Sequence, residues 1–439
     1  MTAAAMPATQ YDVVTAVWGA EFIDLFLDLC IPNQLSPGNL PALPPGSRYR
    51  VLTPAADVPF LASHRGLDPV RRLLPVDIVD VDMTDADRAT RPGERWNTHK
   101  RMIACHRKAA ADAGVDGRAL IFLAPDFILS EGTMAGLVRM HREGARAVMT
   151  MNLRLSREAF LADPSRLNGK AALAPRELVA VAMRHLHPWT QSLMSDATRT
   201  SDNPTAVYWP VRSNGLLDGV LARSFYLHPM LVDPVVRNRL PGGPIDSHYV
   251  RDCCPDITDC RVVDDSDELI VFELSPAGRA IGRDISRDGV SPLRLAAAAA
   301  GCDRHHVSYW RHSIRLHAGE LDERWAAAEA ASLRFARRFV RLRPWGAVLV
   351  TVFETVKWLR RRHDGYETAL RKAGRRYRHT VRRARAEAGS AARDMRKAIR
   401  PPVTTKQVAR PVRLIWHRTA KAWTLGLKRV RRRTPMVGR

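Results

Sequence analysis

An apolar run that ends at a proline and a single acid is the segment that most constrains the fold of this 439-residue chain. Residues Ala119–Leu123 are apolar, Pro125 interrupts the run, and Asp126 follows before sequence that favours a helix from about Glu131. A buried parallel strand has this composition, and open α/β sheets bind ligands at the carboxyl ends of their strands. Asp126 is therefore predicted to face a ligand crevice. The alternative is an ordinary strand-to-helix turn, in which Asp126 only accepts hydrogen bonds from loop amides.

The composition indicates a soluble protein of two or three domains. Hydrophobic residues make up 46% of the chain, yet no stretch approaches the roughly 20 uninterrupted apolar residues needed to span a bilayer. The N-terminal segment lacks a basic region followed by an apolar core, so no secretory signal is expected. The six cysteines show no zinc-type spacing. We therefore expect a cytoplasmic protein with reduced thiols.

The positive charge of the chain is concentrated in its C-terminal tail. Residues 321–439 contain 33 Lys and Arg against 8 Asp and Glu, so they account for the whole-chain net charge of +24. Residues 1–320 are close to neutral, as in an ordinary globular domain. The tail is therefore predicted to be an extension that meets polyanions.

Strands alternate with helices from the N-terminus to about Met151. This alternation predicts an α/β fold with a mainly parallel, doubly wound sheet. The strand at 76–81 alternates apolar and acidic residues, which indicates an edge position or one exposed face. The predicted strands are 11–17, 48–52, 76–81, 119–123 and 147–151, and the helices follow residue 19 and span 94–113 and 134–142.

Beyond about residue 156 the pattern becomes mixed α+β. We predict a nucleotide-binding α/β part at 1–155, an α+β part holding the second substrate at 156–320, and a basic helical extension, partly disordered, at 321–439. The predicted elements here are a helix at 176–187, strands at 206–211 and 225–232, paired short strands at 260–263 and 269–274, and a helix at 322–342.

Several common catalytic motifs do not occur in the sequence. There is no G-x-G-x-x-G loop and no Walker loop, which counts against a dinucleotide dehydrogenase, a P-loop ATPase and a nucleotidyltransferase. There is also no G-x-S-x-G nucleophile elbow.

Four segments together resemble the bacterial GT-A-type glycosyltransferases, over roughly residues 10–280. They are Val13–Gly19, Pro125-Asp126, Ser130–Thr133 and Ile245–His248. The resemblance implies a GT-A-like sheet, and it implies that the acid after the fourth strand belongs to a D-x-D motif. That motif helps to hold a divalent cation on the diphosphate of a nucleotide sugar. This chain departs from the pattern, because Phe127 and Ile128 follow Asp126 and the nearest other acid is Glu131.

The missing second acid leaves two possibilities for the donor diphosphate. A Mn²⁺ or Mg²⁺ ion bound by Asp126 could complete its shell with waters, phosphates and His248, a histidine late in the domain as in similar enzymes. Alternatively, Asp126 binds ribose or sugar hydroxyls, and a cation among Arg95, Lys100 and Arg101 offsets the diphosphate without metal.

Further candidate site residues come from the segments around these strands. Trp18 and Thr53 follow or end predicted strands, and we expect them to line the nucleotide cleft. Asp246 and His248 lie in a loop opened by two glycines, where Asp246 could be the base for an acceptor hydroxyl and His248 its helper. An Asx turn with a surface histidine explains the same loop equally well.

Several histidines and acids could belong to a functional site or could be ordinary structural or solvent-exposed residues. His99, Lys100 and His106 lie on one predicted helix, where one of them could approach the nucleotide or all could belong to a solvated face. The acidic segment at 264–268 could bind Ca²⁺ but is expected to be a polar hairpin turn. A second group of histidines fits no zinc spacing and is expected to be polar helix positions near the end of the domain, namely His305, His306, His312 and His317. The alternative is that His312 or His317 packs back toward the sugar site.

The tail contains a feature typical of membrane-surface helices. The segment 345–359 is apolar with aromatic and basic borders, although it is too short and too charged to span a bilayer. Basic runs at 371–385 and 428–433 extend the cationic surface, and each basic residue near an anionic leaflet contributes about 1 kcal/mol. Nucleic acid is the competing polyanion. From about residue 401 a solvated, disordered tail is at least as good an interpretation.

Taken together, the patterns predict a transferase at the inner face of the cell membrane. It would move a sugar from a nucleotide-diphosphate donor to a hydroxyl of a glycan or a lipid-linked acceptor. The rival hypothesis is a non-enzymatic protein that binds nucleic acid or anionic membranes through its tail.

Overall fold

The computed structural model describes residues 9–88, 97–201, 204–278, 285–286, 290–353 and 355. The residues up to Thr355 belong to one compact unit. The predictions for the basic runs beyond 355 and for Arg95 lie outside the described residues.

Strands are labelled in chain order. They are β1 (Tyr11–Ala16), β2 (Arg48–Thr53), β3 (Val76–Asp80), β4 (Ala119–Leu123), β5 (Phe127–Leu129), β6 (Ala147–Thr150), β7 (Asn152–Ser156), β8 (Thr200–Ser201), β9 (Ala206–Ser213), β10 (Leu216–Ser224), β11 (His228–Val232), β12 (Cys260–Val262), β13 (Val271–Ser275), β14 (Ile285–Ser286) and β15 (Ile314–His317).

Helices are labelled in the same way, and two π-helical turns, Phe26–Cys30 and Ile245–Tyr249, accompany them. They are α1 (Ala20–Leu25), α2 (Ile31–Gln34), α3 (Val58–Ser63), α4 (Asp68–Leu73), α5 (Thr84–Arg88), α6 (Asn97–Asp116), α7 (Thr133–Arg142), α8 (Arg157–Ala162), α9 (Pro175–Arg184), α10 (Pro188–Gln191), α11 (Val250–Cys253), α12 (Pro292–Ala298), α13 (Arg304–Tyr309) and α14 (Glu323–Leu342).

A seven-stranded sheet forms the centre of the fold. Its strand order is β12-β6-β11-β4-β1-β2-β3, and β11 runs antiparallel to its neighbours while the other strands are parallel. The residues of β1 and β4 are all buried, as expected of strands in the middle of a sheet covered on both faces. The predicted mixed α/β class with a mostly parallel sheet is confirmed. The predicted edge position of the third strand is also confirmed, because β3 ends the sheet.

A buried ion pair joins the first two strands. Asp12 of β1 is fully buried, and its carboxylate accepts two hydrogen bonds from Arg48 of β2, at 2.8 and 2.9 Å. Arg118, just before β4, adds another positive charge at 3.5 Å. This pairing compensates the cost of placing a carboxylate inside the sheet.

A second, three-stranded sheet has the order β5-β13-β7 and begins directly after Asp126. The strands predicted at 260–263 and 269–274 exist as β12 and β13, but the prediction that they pair with each other is wrong. β12 pairs with β6 at the edge of the large sheet, whereas β13 lies between β5 and β7. The turn between them separates two sheets instead of closing a hairpin.

Strands from both of the predicted parts build the central sheet. β11 and β12 follow the predicted α+β boundary in sequence, yet they lie beside β4 and β6. The reversed β11 is inserted between β4 and β6, which both belong to the predicted N-terminal part. The two predicted parts are therefore interleaved in one compact unit.

A smaller apolar core lies under the C-terminal helices. The sheet with order β15-β10-β9 packs against α14, α14 packs against α12, and Phe225, Trp310 and Phe339 are buried in the same core. Asp322 caps α14 by accepting a hydrogen bond from the amide of Arg324, so the predicted helix at 322–342 is confirmed. Among the described helices, none is both long and apolar enough to cross a membrane.

Candidate functional site

Three of the predicted donor-binding residues lie at one edge of the central sheet. Trp18 follows β1, Thr53 ends β2 and Asp126 follows β4, and these strands run parallel. The register aligns Thr15 of β1 with Leu123 of β4, so the residues beyond these strands emerge at similar heights. The carboxyl edge of parallel strands is where open α/β sheets bind ligands.

Asp126 is 8% exposed and is held between the two sheets. Its carbonyl oxygen accepts a 2.9 Å hydrogen bond from the amide of Leu274 in β13, and the Cys30 thiol donates to the neighbouring carbonyl of Pro125 at 3.2 Å. Burial raises the pKa of the Cys30 thiol well above its usual value, and the negative charge of Asp126 raises it further. The Asp126 carboxylate is therefore close enough to the Cys30 thiol for its charge to be felt there.

Thr53 brings a polar group to the same edge. Its side chain is fully buried, and its hydroxyl has no protein hydrogen-bond partner among the described residues. Trp18 is half-buried and packs against the central core. After Trp18 the chain turns through Gly19 at a positive φ of 78°, a conformation that favours glycine. A hydroxyl and an indole at the same edge of the sheet as the acid are the kinds of groups that can contact a ribose and a base.

The residues predicted on α6 do not form one cationic surface. His106 is 5% exposed and lies edge-on to Phe122 of β4 at 5.2 Å between ring centroids. Burial, with the nearby His228, lowers its pKa to about 3, so His106 is uncharged at neutral pH. Arg101 is held by the carboxylate of Asp87 in two hydrogen bonds of 2.8 and 2.9 Å. Lys100, the other described member of the three predicted cations, is half-buried.

Glu131, the nearest acid to Asp126 in the sequence, has an exposed side chain. It follows β5, and its amide donates to the carbonyl of Leu173 at 2.8 Å. Asp126 is buried whereas Glu131 faces solvent, so the two acids do not form a buried carboxylate pair.

Asp246 lies in the π-helical turn Ile245–Tyr249, and its surroundings are charged. Burial raises the pKa of Asp246, against the opposing charges of His306 and Arg154, while Glu273 adds to the increase. Arg154 of β7 and Glu273 of β13 form an ion pair of 2.9 Å. A carboxyl whose pKa is raised towards neutrality is suited to accept a proton.

The Arg154–Glu273 pair connects the predicted base to the predicted donor anchor. Glu273 lies opposite Phe127 in the antiparallel pair of β13 and β5, directly after Asp126. The Phe127 ring packs edge-on against His228, the first residue of β11, at 5.0 Å. Glu273 is thus paired across the second sheet with the residue that follows Asp126, and its charge also acts on Asp246.

His248, predicted as a metal ligand or helper, is clustered with two residues from a later segment. Its Nδ1 lies 2.9 Å from Asp303 Oδ2, and His306 Nδ1 lies 2.7 Å from Asp303 Oδ1. Burial alone would raise the pKa of Asp303, but hydrogen bonds from both imidazoles and from the His306 amide hold it well below its usual range. The carboxylate is therefore ionised, and each imidazole donates one N–H to it.

The remaining predicted histidines are mostly buried. His305 and His306 lie on α13 and His317 on β15, each 1% exposed, so the expectation of polar helix positions is wrong for them. His317 is fully engaged, with Nδ1 2.6 Å from the carbonyl of Gly319 and Nε2 2.9 Å from Asp265. Asp265 and Asp267 lie in the acidic segment at 264–268, and His317 ties this turn to β15.

Sequence reasoning missed Arg154, Glu273 and Asp303. A signal was present for the first two, since each is a lone charge inside an apolar strand, and the parallel register of β7 and β13 brings them together. Asp303 directly precedes a helix and accepts from the amides of His305 and His306, which is the usual arrangement of an N-cap residue. Its contact with His248 depends on tertiary packing.

Within the described part of the chain, the residues around Asp126 do not form a cation site built from protein ligands alone. Among the described residues, the groups of three ligand-type side chains with donor atoms within 4.8 Å are His248 with Asp303 and His306, and Asp265 with Asp267 and His317. Asp126 belongs to neither group, and one carboxylate offers few of the oxygens that Mg²⁺ or Mn²⁺ requires. The predicted pairing of Asp126 and His248 on one ion is not among these groups.

No protein-family model matches the chain, and no curated protein matches it. The site's own geometry therefore carries the functional argument.

Proposed function

We propose that the protein is a GT-A-type glycosyltransferase that moves a sugar from a nucleotide-diphosphate donor to an acceptor hydroxyl. The central sheet supports this proposal. It is mostly parallel with one reversed strand, and a small second sheet starts directly after the acid that follows β4. The resemblance to GT-A-type glycosyltransferases implies a mainly parallel sheet with an acid after its fourth strand, and this sheet has both. The fold class alone is shared by many functions, so the proposal depends on the site.

The observation that carries the proposal is the burial of Asp126 at the carboxyl edge of the sheet, with Trp18 just after the neighbouring strand β1 and Thr53 at the end of β2, the next strand along the sheet. The Asp126 carboxylate and the Thr53 hydroxyl, which has no hydrogen-bond partner among the described residues, can bind the hydroxyls of a nucleotide sugar. The Trp18 indole can pack against its flat base. Asp126 would bind ribose or sugar hydroxyls directly. No step is assigned to a divalent cation on Asp126.

Asp246 is the proposed base. Its carboxylate would accept the proton of the acceptor hydroxyl as the acceptor oxygen forms a bond to the anomeric carbon of the donor. The bond from that carbon to the phosphate oxygen breaks, and the nucleoside diphosphate leaves with the electron pair. Arg154 and Glu273 would keep the local charge balanced around Asp246. The raised pKa of Asp246 supports this role because it brings the carboxyl closer to the working pH.

The start of the tail supports association with the cytoplasmic face of a membrane. Residues 346–353 are helical, and Trp345, Val348 and Val352 are 62%, 54% and 48% exposed. Their spacing of three and four places them on one helical face, whereas Leu349 packs against the smaller core. An exposed apolar face beside arginines suits an anionic headgroup layer. Lipid-linked acceptors would then be presented to the transferase.

A thermal-shift screen of the full chain against nucleotide sugars tests the proposal. A bound donor at 100 times its dissociation constant stabilises the fold by about 2.7 kcal/mol, which is measurable as a rise in melting temperature. We expect a subset of nucleotide sugars to give this rise, and parallel samples with Mn²⁺ and with a chelator measure the cation's contribution. If no nucleotide sugar binds while anionic vesicles or nucleic acid do, the non-enzymatic alternative replaces the transferase.

A further inference from the structure

We propose that His248, Asp303 and His306 form a binding site for a divalent transition-metal ion of the zinc class. The site is separate from the donor anchor Asp126, and its existence does not depend on the proposed transferase activity. Two imidazole nitrogens and one carboxylate oxygen are the ligands that Zn²⁺ and Co²⁺ select, whereas Mg²⁺ and Ca²⁺ prefer oxygen alone.

The spacing of the donor atoms fits one ion. His248 Nδ1 and His306 Nδ1 lie 2.9 and 2.7 Å from the two oxygens of Asp303, and one donor atom from each residue lies within 4.8 Å of the others. With metal bonds of about 2.0 to 2.2 Å, neighbouring ligands on one ion are separated by roughly 3 Å. Small side-chain adjustments would therefore let the three groups bind an ion.

The burial of the three residues suits a site with an open side. His306 is 1% exposed and the side chain of Asp303 is 13% exposed, while the side chain of His248 is 45% exposed. An ion would therefore enter past His248 and reach two ligands that are already held. Asp303 is fixed by the amides of His305 and His306, so its carboxylate is oriented before any ion arrives.

The site would join two segments that are far apart in sequence. His248 belongs to the turn that carries Asp246, whereas Asp303 and His306 belong to the start of α13. An ion would therefore attach this turn to α13. Metal binding is therefore expected to raise the melting temperature.

One cation near the site opposes metal binding. Nη1 of Arg251 lies 3.2 Å from Asp303 Oδ2, and Nη2 of the same guanidinium pairs with Asp252 at 2.6 Å. Arg251 can keep its contact with Asp252 when an ion takes its place on Asp303. Replacing this positive charge is expected to strengthen metal binding, because like charges no longer face each other.

Co²⁺ titration of the full chain, followed by visible absorption and calorimetry, tests the site. We expect one equivalent of Co²⁺ to bind, to be displaced by Zn²⁺ and to be unaffected by excess Mg²⁺. His248→Ala, at a partly exposed position, should weaken binding at least about tenfold, and His306→Ala should do the same. Arg251→Gln should bind several-fold more tightly.

Matched controls separate this cluster from other histidines. His317→Ala removes the histidine of the other ligand-type cluster, and His312→Ala removes a partly exposed histidine; neither should change the affinity. Circular dichroism and melting curves confirm that each variant is folded. The proposal is overturned if the folded wild-type chain binds no stoichiometric Co²⁺, or if binding survives unchanged in His248→Ala.

Discussion

The amide of Leu274 donates a 2.9 Å hydrogen bond to the carbonyl oxygen of Asp126. This bond joins residues far apart in the sequence and fixes the backbone of the proposed donor anchor to β13. It also brings Glu273 beside the anchor, and Glu273 pairs with Arg154 near Asp246. Glu273 is thus linked to both proposed site carboxylates, through the pairing of β13 with β5 and through its charge near Asp246.

Asp246→Asn should lower kcat by about 10²- to 10⁴-fold and leave the dissociation constant of the donor nearly unchanged, because the amide cannot accept the acceptor's proton. The wild-type rate should fall as the pH drops through the raised pKa of Asp246. Turnover assays and donor titrations measure the two effects. A variant that keeps wild-type kcat would exclude Asp246 as the base.

The same substitution should stabilise the protein at neutral pH. Because the pKa of Asp246 is raised in the folded state, ionisation of this carboxyl opposes folding. The stability that the protonated carboxyl contributes is therefore lost as the pH rises through that pKa. Asn carries no charge and avoids this loss, and we expect a rise in melting temperature of about 2 °C at pH 7. At pH 3.5, where Asp246 is protonated, the difference should disappear.

The Arg154–Glu273 ion pair should be coupled energetically. Its side chains are 31% and 15% exposed, so removing one partner leaves the other poorly solvated. A double-mutant cycle with Arg154→Met and Glu273→Gln should give a coupling of about 1 to 2 kcal/mol in the free energy of unfolding. The exposed Lys170–Glu177 pair, at 52% and 44%, is the matched control and should give less than about 0.5 kcal/mol. Equal couplings would show that the first pair is an ordinary surface contact.

His106 should make the fold sensitive to acid. Burial lowers its folded-state pKa to about 3, so its contribution to stability is present above the unfolded value near 6.5 and is lost as the pH falls towards 3. Between pH 6.5 and 5 this residue should account for a loss of about 1 to 2 kcal/mol. In denaturation experiments, the free energy of unfolding of His106→Leu should decrease less steeply with falling pH than that of the wild type. His312→Leu is the control. Identical pH profiles for His106→Leu and wild type would contradict the assignment.

The exposed apolar face after α14 should bind anionic membranes. Replacing Trp345 and Val348 by Ser removes two exposed apolar side chains, and vesicle flotation should show about tenfold weaker binding or more. Leu216→Ser, at an exposed leucine of β10, is the control and should leave binding unchanged. Binding should favour vesicles with anionic lipid over neutral ones and weaken with salt. If the double variant floats like the wild type, this face does not contact lipid.

Local patterns in the sequence predicted most strands of the N-terminal part, because these strands are short, mainly apolar runs bounded by proline, glycine or polar residues. β1, β2, β4 and β6 lie within one or two residues of the predicted bounds. The insertion of β11 between β4 and β6 was not predictable from such runs, since it depends on a strand much later in the chain returning to the sheet in the opposite direction.

The candidate site was also predictable only where it depends on local sequence. The position of Asp126 after a buried strand was predictable because the strand before it is strongly apolar, and the structure places Asp126, buried, directly beyond β4. The charged groups near Asp246 were not predictable in this way, because Arg154 and Glu273 meet only through the register of β7 and β13. Likewise, Asp303 is distant from His248 in sequence and reaches it only through the packing of α13 against the turn that carries Asp246.

The binding of a nucleotide sugar by Asp126→Asn tests the central claim most directly. Calorimetric titration with the donor that gives the largest thermal shift should show at least about tenfold weaker binding for this variant, because the neutral amide loses charge-assisted hydrogen bonds to the donor. Asp196→Asn, at an exposed aspartate paired with Arg212, should bind within about twofold of the wild type. A folded Asp126→Asn protein with wild-type donor affinity and turnover would contradict the account.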